Sequence, residues 1–490
     1  MNDSIAKSNV AFGTSGARGL VVDMTDLVCY SYTQAFLRYL QASNQWQQGQ
    51  AVVIGGDLRP STPRIMAACA KACVDFGSPV INAGDVPSPA VALHGFLYKL
   101  PSLMITGSHI PDDRNGIKFN TPTGEILKAD EQGISSQSIA VPEGEFDSNG
   151  MLSTPFLLPE IDPTIRLNYI ERYSTFFGGV LTGQTVGVYQ HSAVGRDIVM
   201  DILRALGAHP IALGRSDTFI PVDTEAIRPE DVALAKQWAS EHQLDAIVST
   251  DGDSDRPLVS DEHGEWLRGD VLGILCAQFL NCTDVVTPVS SNSALEKSNL
   301  FNSTVRTRIG SPYVIEGMKQ LLSENKSTVA GYEANGGFLL ASAVHQHGKI
   351  LSKLPTRDAV IVMLCILAMA KAKETSVSQL LQQLPARFTV SDRIKNFPTQ
   401  VSMTELKKLS PDDAEAQKKL LTGMFGHISG QVVAVNQTDG LRMSFANDEI
   451  IHLRPSGNAP ELRCYTEATS PERAHEINQA CMGVLSTWQA

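Results

Sequence analysis

Residues 51–77 read AVVIGGDLRPSTPRIMAACAKACVDFG, and this stretch decides the fold class. Ala51 to Asp57 is a β-branched run closed by two glycines and an acid, the pattern of a buried strand entering a loop. Ser61, Thr62 and Pro63 then supply a cap and an early proline. The apolar run that follows stops at Gly77, so the punctuation predicts a helix between them. The same order returns along the chain. SLMIT (102–106) ends in Gly107-Ser108-His109, and QTVGVYQ (184–190) is followed by a helix from Gly195 to Leu206 and then by HPIAL. DAIVST (245–250) ends in an acidic loop and STVAGYE (327–333) in a glycine-rich one. Repeated units of this kind predict α/β layers, with ligands bound at the loops beyond the carboxyl ends of the strands.

After about Arg387 the pattern changes. A polar helix is expected over Met403 to Thr422. QVVAVNQTDGLRMSF follows, with Asp439-Gly440 as a turn, and then EIIHLRPSG and LRCYTEA. Strands in hairpin order with flanking helices predict a small α+β domain. The polar stretch Glu131 to Ser153 reads as an insertion or a linker.

The chain has 490 residues, which suits about three or four domains. Hydrophobic residues make up 43% and charged residues 19%, as in an ordinary globular protein. A net charge of -12 argues against a nucleic-acid partner but leaves room for a local basic pocket that takes small anions. The eight cysteines form no CxxC pair, and Cys69 and Cys73 read as buried small hydrophobes, which suits a reducing cytoplasm. The beginning of the chain has no signal-peptide run. The longest apolar stretch, Ala359 to Ala370, is about half a membrane span, so it reads as a buried helix and no membrane partner is expected.

Asp251-Gly252-Asp253-Ser254-Asp255-Arg256 places carboxylates at alternate positions directly after a strand. They repel one another unless a cation is present, and an all-oxygen set suits Mg²⁺ or Ca²⁺. The competing reading is a solvated acidic turn. An EF-hand fails because its sixth position is Arg256 instead of glycine and a strand precedes it. Magnesium needs waters or a phosphate to complete its octahedron, which predicts a phosphate nearby.

Thr106-Gly107-Ser108-His109 could be a plain turn. A phosphate on Ser108 would add about two negative charges and three acceptor oxygens, with His109 and Lys118 as phosphate or proton partners. Glu333 and Asn335, two apart on a glycine-flanked loop, can read sugar hydroxyls, or the loop is a tight turn. Arg454-Pro455-Ser456-Gly457-Asn458, with Arg463 following, can cradle a dianionic phosphate or form a structural ion pair. Gly13 to Gly19 offers one more loop with one cation, Arg18.

In this order the loops FGTSGARG, TGSHIPDDRNGIKF, DGDSDRPL, GYEANGGF and RPSGNAPELRCYTEA resemble the α-D-phosphohexomutase superfamily over nearly the whole chain. The resemblance implies four domains around a central cleft: 1–160 with the phosphoserine loop, 161–268 with the metal loop, 269–386 with the sugar loop and 387–490 with the phosphate loop. The first three would be related α/β units with mixed sheets and the last a small α+β domain. It also implies that Ser108 carries the phosphoryl group and binds Mg²⁺ together with Asp251, Asp253 and Asp255. Arg18, His109, Lys118 and Arg256 would be active-site cations or proton-transfer groups. Glu333 and Asn335 would read the sugar, Arg308 and Ser311 would be further substrate contacts, and Arg454, Ser456, Gly457, Asn458 and Arg463 would clamp the distal phosphate.

Some motifs depart from the common family pattern. Asn458-Ala459 replaces Thr-Glu in the clamp, HSAVGRD replaces a DGANG-like loop, and TRIGSPYV lacks the TGHSxI pattern. EANGG looks most like the bacterial phosphomannomutase branch. The implied activity is interconversion of mannose 6-phosphate and mannose 1-phosphate, with a hexose 1,6-bisphosphate as activator. Glucose or glucosamine phosphates are alternatives, and a metal-dependent phosphatase or a non-catalytic sugar-phosphate binder are other classes. The expected partners are hexose phosphates, with the chain a cytoplasmic monomer or homodimer.

Overall fold

The computed structural model describes residues 5, 8–13, 16–456 and 460–489. Val52–Gly56 is buried at every position, so it can only lie inside a sheet covered on both faces. It runs parallel to Val80–Asp85 on one side and to Ser102–Ile105 on the other. Ser102–Ile105 turns back as an antiparallel neighbour of Arg114–Thr121, and the loop joining these two carries Ser108. Ala17–Leu20 and Ala11–Phe12 extend the sheet antiparallel, and the short strand Gly124–Glu125 pairs with Arg114–Thr121. The predicted first helix is Thr62–Asp75, with Pro63 in its first turn.

A second mixed sheet orders Pro257–Val259, Ala246–Thr250, Thr185–His191 and His209–Arg215, with only the first pair antiparallel. A third orders Ser303–Thr307, Asp284–Pro288, Val329–Tyr332, Phe338–Leu340 and Leu354–Asp358. The expected buried helix is Ala359–Ala372, started by Asp358, whose side chain accepts from Val360 N. The largest apolar cluster runs from Val53 and Val91 through Tyr169, Val186 and Val248 to that helix. The first three sheets therefore share one continuous core. No helix among the described residues is long and apolar enough to cross a membrane.

The C-terminal sheet is antiparallel, in the order Phe388–Lys395, Glu461–Ala468, Ile450–Pro455, Leu441–Phe445 and Val432–Asn436. Its apolar cluster, around Leu421, Phe425, Met443 and Ile477, is separate. Polar contacts join it to the third sheet's loops. Glu467 accepts from Ser293 N at 3.0 Å and from Arg387 Nε at 2.5 Å, and Ile309 N donates to Asp439 Oδ2 at 2.9 Å.

Two expectations need correction. The single helix over Met403 to Thr422 is two helices, Thr399–Lys408 and Ala414–Ser429. Pro411 lacks the N–H a continuous helix needs, and Asp413 caps the second by accepting from Ala416 N at 2.5 Å. The stretch Glu131 to Ser153 is no free linker: its helix Lys128–Ser135 buries Ile134, and Ile139 and Leu152 pack on the first sheet's core.

Two buried histidines are held neutral. His191 donates from Nε2 to the Thr250 carbonyl at 2.8 Å, and His452 from Nε2 to the Asp439 carbonyl at 2.6 Å. In both, the buried Nδ1 has no partner. Burial pushes each pKa down to about 4. The unfolded chain, with histidine near 6.5, takes up these protons first as pH falls, so stability present above 6.5 is lost down to about 4. Each histidine should cost about 1.4 kcal/mol per pH unit in that window. Calorimetric melting from pH 7 to pH 5 should show a falling midpoint, with a shallower fall in His452→Gln than in the native chain.

Candidate active site

The strand Ala246–Thr250 delivers its acidic loop at the carboxyl end, as the placement rule expects. Asp251, Asp253 and Asp255 are all buried, and carboxylate oxygens from the three lie within 4.8 Å of one another. Ser254 does not share their role. At φ 60° it turns away, and its Oγ accepts from Gly195 N at 2.8 Å, tying the loop to the second sheet's helix Arg196–Ala205. Ser108 is fully buried at φ 57°, and its Oγ donates to Asp251 Oδ2 at 2.6 Å. The serine and acidic loops thus meet as one site.

Arg59 holds the serine loop from beneath. This buried guanidinium donates to the carbonyls of Ser108 (2.8 Å), Ile110 (2.5 Å), Pro111 (2.7 Å) and Arg114 (3.1 Å), and its Nε donates to Asp57 at 3.0 Å. Asp57 also accepts from Thr106 Oγ1 at 2.6 Å, and Thr106 Oγ1 in turn accepts from Ser108 N at 2.8 Å. Sequence reasoning missed Arg59 and Asp57. Their position just beyond the strand Val52–Gly56 was the available signal, since it is the same strand end that marks the other loops.

The charge balance fits a cation. Lys118 Nζ lies 2.5 Å from both Asp253 Oδ2 and Asp255 Oδ2, and Ser88 Oγ donates to Asp253 at 2.5 Å. Arg357 donates to Asp255 Oδ2 from Nε at 3.0 Å. Burial raises the Asp253 and Asp255 carboxyls, but Lys118 for the first and Arg357 for the second outweigh it and hold both below the usual range. Asp251 stays well above that range because of burial and then repulsion from the other two. The Oδ1 atoms of Asp253 and Asp255 are buried and accept no hydrogen bond, with Arg256 Nε 3.8 Å from that of Asp255. Unpaired oxygens around an oxygen-only donor set are what a hard divalent cation satisfies.

Ser108, Lys118 and the three aspartates are not among the residues lining the adjoining cavity of about 350 Å³, which their neighbours reach. Arg18, His109, Arg256 and Arg357 line it, as do Glu333 and Asn335. Arg256 Nη1 donates to His109 Nδ1 at 2.9 Å. Burial and then the Arg256 charge push His109 down to about 3, so it is neutral with its proton on Nε2. Arg18 is pushed down to about 10 by burial and then by repulsion from Arg256 and Arg357. Arg256 faces Asp251 and Asp255 at 4.0 and 3.8 Å, and Arg357 meets Asp255 and Glu333 at 3.0 and 3.4 Å.

The C-terminal sheet adds a second cationic set. Strand register puts Arg393 opposite Arg463 and Arg463 opposite Arg454, and all three line the cavity together with Ser456. Like charges directly opposite one another are unfavourable in a sheet. Glu461 meets Arg463 at 3.3 Å and Arg393 at 3.5 Å, and Asp439 meets Arg454 at 3.0 Å. Arg393 and the half-buried Glu225, also in the cavity wall, were not picked out from sequence. Gly457 and Asn458 lie outside the described residues. Arg308 and Ser311 are not among the residues lining the cavity: Arg308 is exposed over the Tyr313 ring, and buried Ser311 donates to Glu125 Oε2 at 3.0 Å.

Gly252 allows the two reactive loops to touch. A Cβ there would lie 2.6 Å from the Ser108 carbonyl oxygen and 3.0 Å from the Phe219 ring. Gly252→Ala should fold, yet lose about 100-fold in turnover by pushing Ser108 from Asp251. Unchanged turnover in steady-state assays would show that this contact is not needed.

Models of the phosphoglucomutase/phosphomannomutase family match the chain in sequence order. Alpha/beta/alpha domain I covers residues 9–143, domain II 172–264, domain III 268–388 and the C-terminal domain 399–483. The chain is 43% identical to a phosphomannomutase of Salmonella muenchen, over 99% of this chain and 97% of that one. It is 41% identical to a phosphomannomutase of Sinorhizobium fredii, over 97% and 98%. Phosphoglucosamine mutases match at lower identity, 24% to 27%. In fold it is similar to a phosphoglucomutase/phosphomannomutase family protein of Burkholderia thailandensis, with TM-score 0.74 and 19% identity over 100% of this chain and 98% of that one. Four matched domains in order and high identity along the full length show that the chain belongs to the phosphoglucomutase/phosphomannomutase family.

Proposed function

We propose that the chain interconverts mannose 6-phosphate and mannose 1-phosphate through phosphorylated Ser108 and a 1,6-bisphosphate. The observation that carries this reading is the hydrogen bond to Asp251 from the Oγ of buried Ser108, next in sequence to His109, which with Arg256 lines a cavity holding two separate cationic sets. A single hydrolytic site needs one phosphate pocket, whereas a mutase must hold a second phosphate while the first is transferred. The mannose assignment rests on the phosphomannomutase relatives at 43% and 41% identity.

Asp251, Asp253 and Asp255 would hold Mg²⁺ together with the Ser108 phosphoryl oxygens. When bound, the ion supplies the charge neutralisation that phosphoryl transfer requires. Arg18 and Arg256 bind the reacting phosphoryl group, and Lys118 keeps Asp253 and Asp255 ionised and in place. His109, neutral with its proton on Nε2, faces the cavity and can donate that N–H to a phosphate or sugar oxygen. Glu333 and Asn335 orient the sugar. Arg454, Ser456 and Arg463 hold the distal phosphate, and we add Arg393 to this clamp. A hexose 1,6-bisphosphate primes the enzyme by phosphorylating Ser108. The eight free cysteines, all buried, are consistent with a cytoplasmic protein.

Phosphorus NMR with Mg²⁺, a trace of hexose 1,6-bisphosphate and either mannose 1-phosphate or glucose 1-phosphate tests the reading. Faster conversion of the mannose compound is expected. Faster glucose conversion would change the substrate, and release of free phosphate would replace the mutase with a phosphatase. Ser108→Ala should fold and show no turnover, so full activity in that variant would sink the phosphoserine scheme.

Arg393 sits on an edge strand with its side chain 42% exposed, so its removal should leave the fold intact. Loss of one charge-assisted phosphate contact predicts a KM about 10-fold higher in Arg393→Ala, with kcat little changed. An unchanged KM would remove Arg393 from the clamp.

A further inference from the structure

Arg357 is almost fully buried at the end of the strand Leu354–Asp358 and was not picked out from the sequence. Its guanidinium joins two loops that the mutase reading assigns to different tasks. Nε and Nη2 each lie 3.0 Å from Asp255 Oδ2, in the acidic loop of the second sheet. Nη1 lies 3.4 Å from Glu333 Oε2, in the sugar-facing loop of the third. Lys118 of the first sheet reaches the same Asp255 oxygen at 2.5 Å. That carboxylate is thus fixed from two sides, and its Oδ1, 3.8 Å from Arg256 Nε, accepts no hydrogen bond.

The surroundings keep this arrangement in place. Thr356, the preceding residue, donates from Oγ1 to Glu125 Oε1 at 2.5 Å, anchoring the strand end to the first sheet. The sugar-facing loop presses on the arginine stem, where a Cβ on Gly337 would meet Arg357 Cγ and Cδ at 2.7 Å. Neutralising a buried aspartate needs one positive charge, and a lysine supplies it. Spanning two carboxylates from two loops uses the planar fork that distinguishes arginine.

We infer that Arg357 is a positioning residue, which sets Glu333, and through it the sugar, in register with Asp255 and the phosphoryl group on Ser108. This rests on the mutase reading. Sugar hydroxyls that engage Glu333 are placed relative to the reacting group through Arg357, so misplacement should appear in the transfer step more than in substrate binding. Ground-state affinity comes chiefly from the phosphate clamp on the C-terminal sheet.

The test compares full-length wild type, Arg357→Lys, Glu333→Gln and the double variant. Readouts are kcat and KM on mannose 1-phosphate, the melting midpoint, and Mn²⁺ affinity by electron paramagnetic resonance. Arg357→Lys should keep its midpoint, with Mn²⁺ affinity and KM within about threefold of wild type, while kcat falls about 100-fold. The double variant should be little worse than Arg357→Lys alone, because both changes break one linkage. Wild-type kcat in Arg357→Lys would reduce Arg357 to charge neutralisation and overturn the inference. Multiplying effects of the two substitutions, or a parallel loss of Mn²⁺ affinity, would overturn it as well. No turnover of any hexose phosphate by wild type would sink the mutase reading and this inference with it, a result seen before any variant is compared.

Discussion

Asp251, Asp253 and Asp255 are withdrawn from water with oxygens within 4.8 Å of one another, and each neighbouring element answers that charge. Burying one carboxylate without compensation costs several kcal/mol, so three in one loop require partners from every side. Lys118 comes from the first sheet, Arg256 from the acidic loop itself and Arg357 from the third sheet. Backbone N–H groups of Asp255 and Arg256 donate to Asp251 Oδ1, both at 3.2 Å. The protein's own share of that compensation is assembled only when three sheets close on the loop. A single apolar cluster running through all three is the packing counterpart of that requirement.

Arginines crowd the wall of the adjoining cavity. Arg18, Arg256 and Arg357 crowd one another, and Arg393, Arg454 and Arg463 stand in a row across three strands with two carboxylates between them. A chain with net charge -12 thus gathers six arginines in one cavity wall, against the carboxylates of Asp223, Glu225, Glu333 and Asp392, a local basic surface suited to phosphate groups. The proteins it resembles at 43% and 41% identity carry the name phosphomannomutase, and the charge pattern supplies a physical reason for that chemistry.

The parts of this site legible in the sequence are those carried by contiguous loops at strand ends. Ser108, the three aspartates and Glu333 could each be found because a strand pattern stops just before them, and Arg454 because it lies at the end of one, Ile450–Pro455. Arg393 was illegible because its meaning depends on pairing with Arg463, a register fixed only when the two strands of the C-terminal sheet meet. Arg59 and Arg357 were illegible for a related reason, since their partners belong to loops distant in sequence. Arg308 was taken from a loop comparison, and it lies exposed against Tyr313. The helix break at Pro411 could have been read locally, because proline lacks the N–H that a continuous helix needs there.

The way the C-terminal sheet is attached bears on how one cleft can serve both ends of a sugar. Its apolar cluster is separate, and its junction with the third sheet's loops is built from Glu467, Arg387, Ser293 and Asp439. Moving apart two surfaces that share an apolar core exposes that core to water, at about 25 cal/mol for each Å². Polar partners at a junction can exchange one another for water at far lower net cost, typically about 1 kcal/mol for each hydrogen bond. Relative movement is therefore cheapest between the C-terminal unit and the other three, and dearest among those three. That ordering suits the chemistry. In the proposed mechanism the acidic loop and Ser108 would keep their geometry through every transfer, whereas the clamp would release one phosphate and accept the other while the bisphosphate turns.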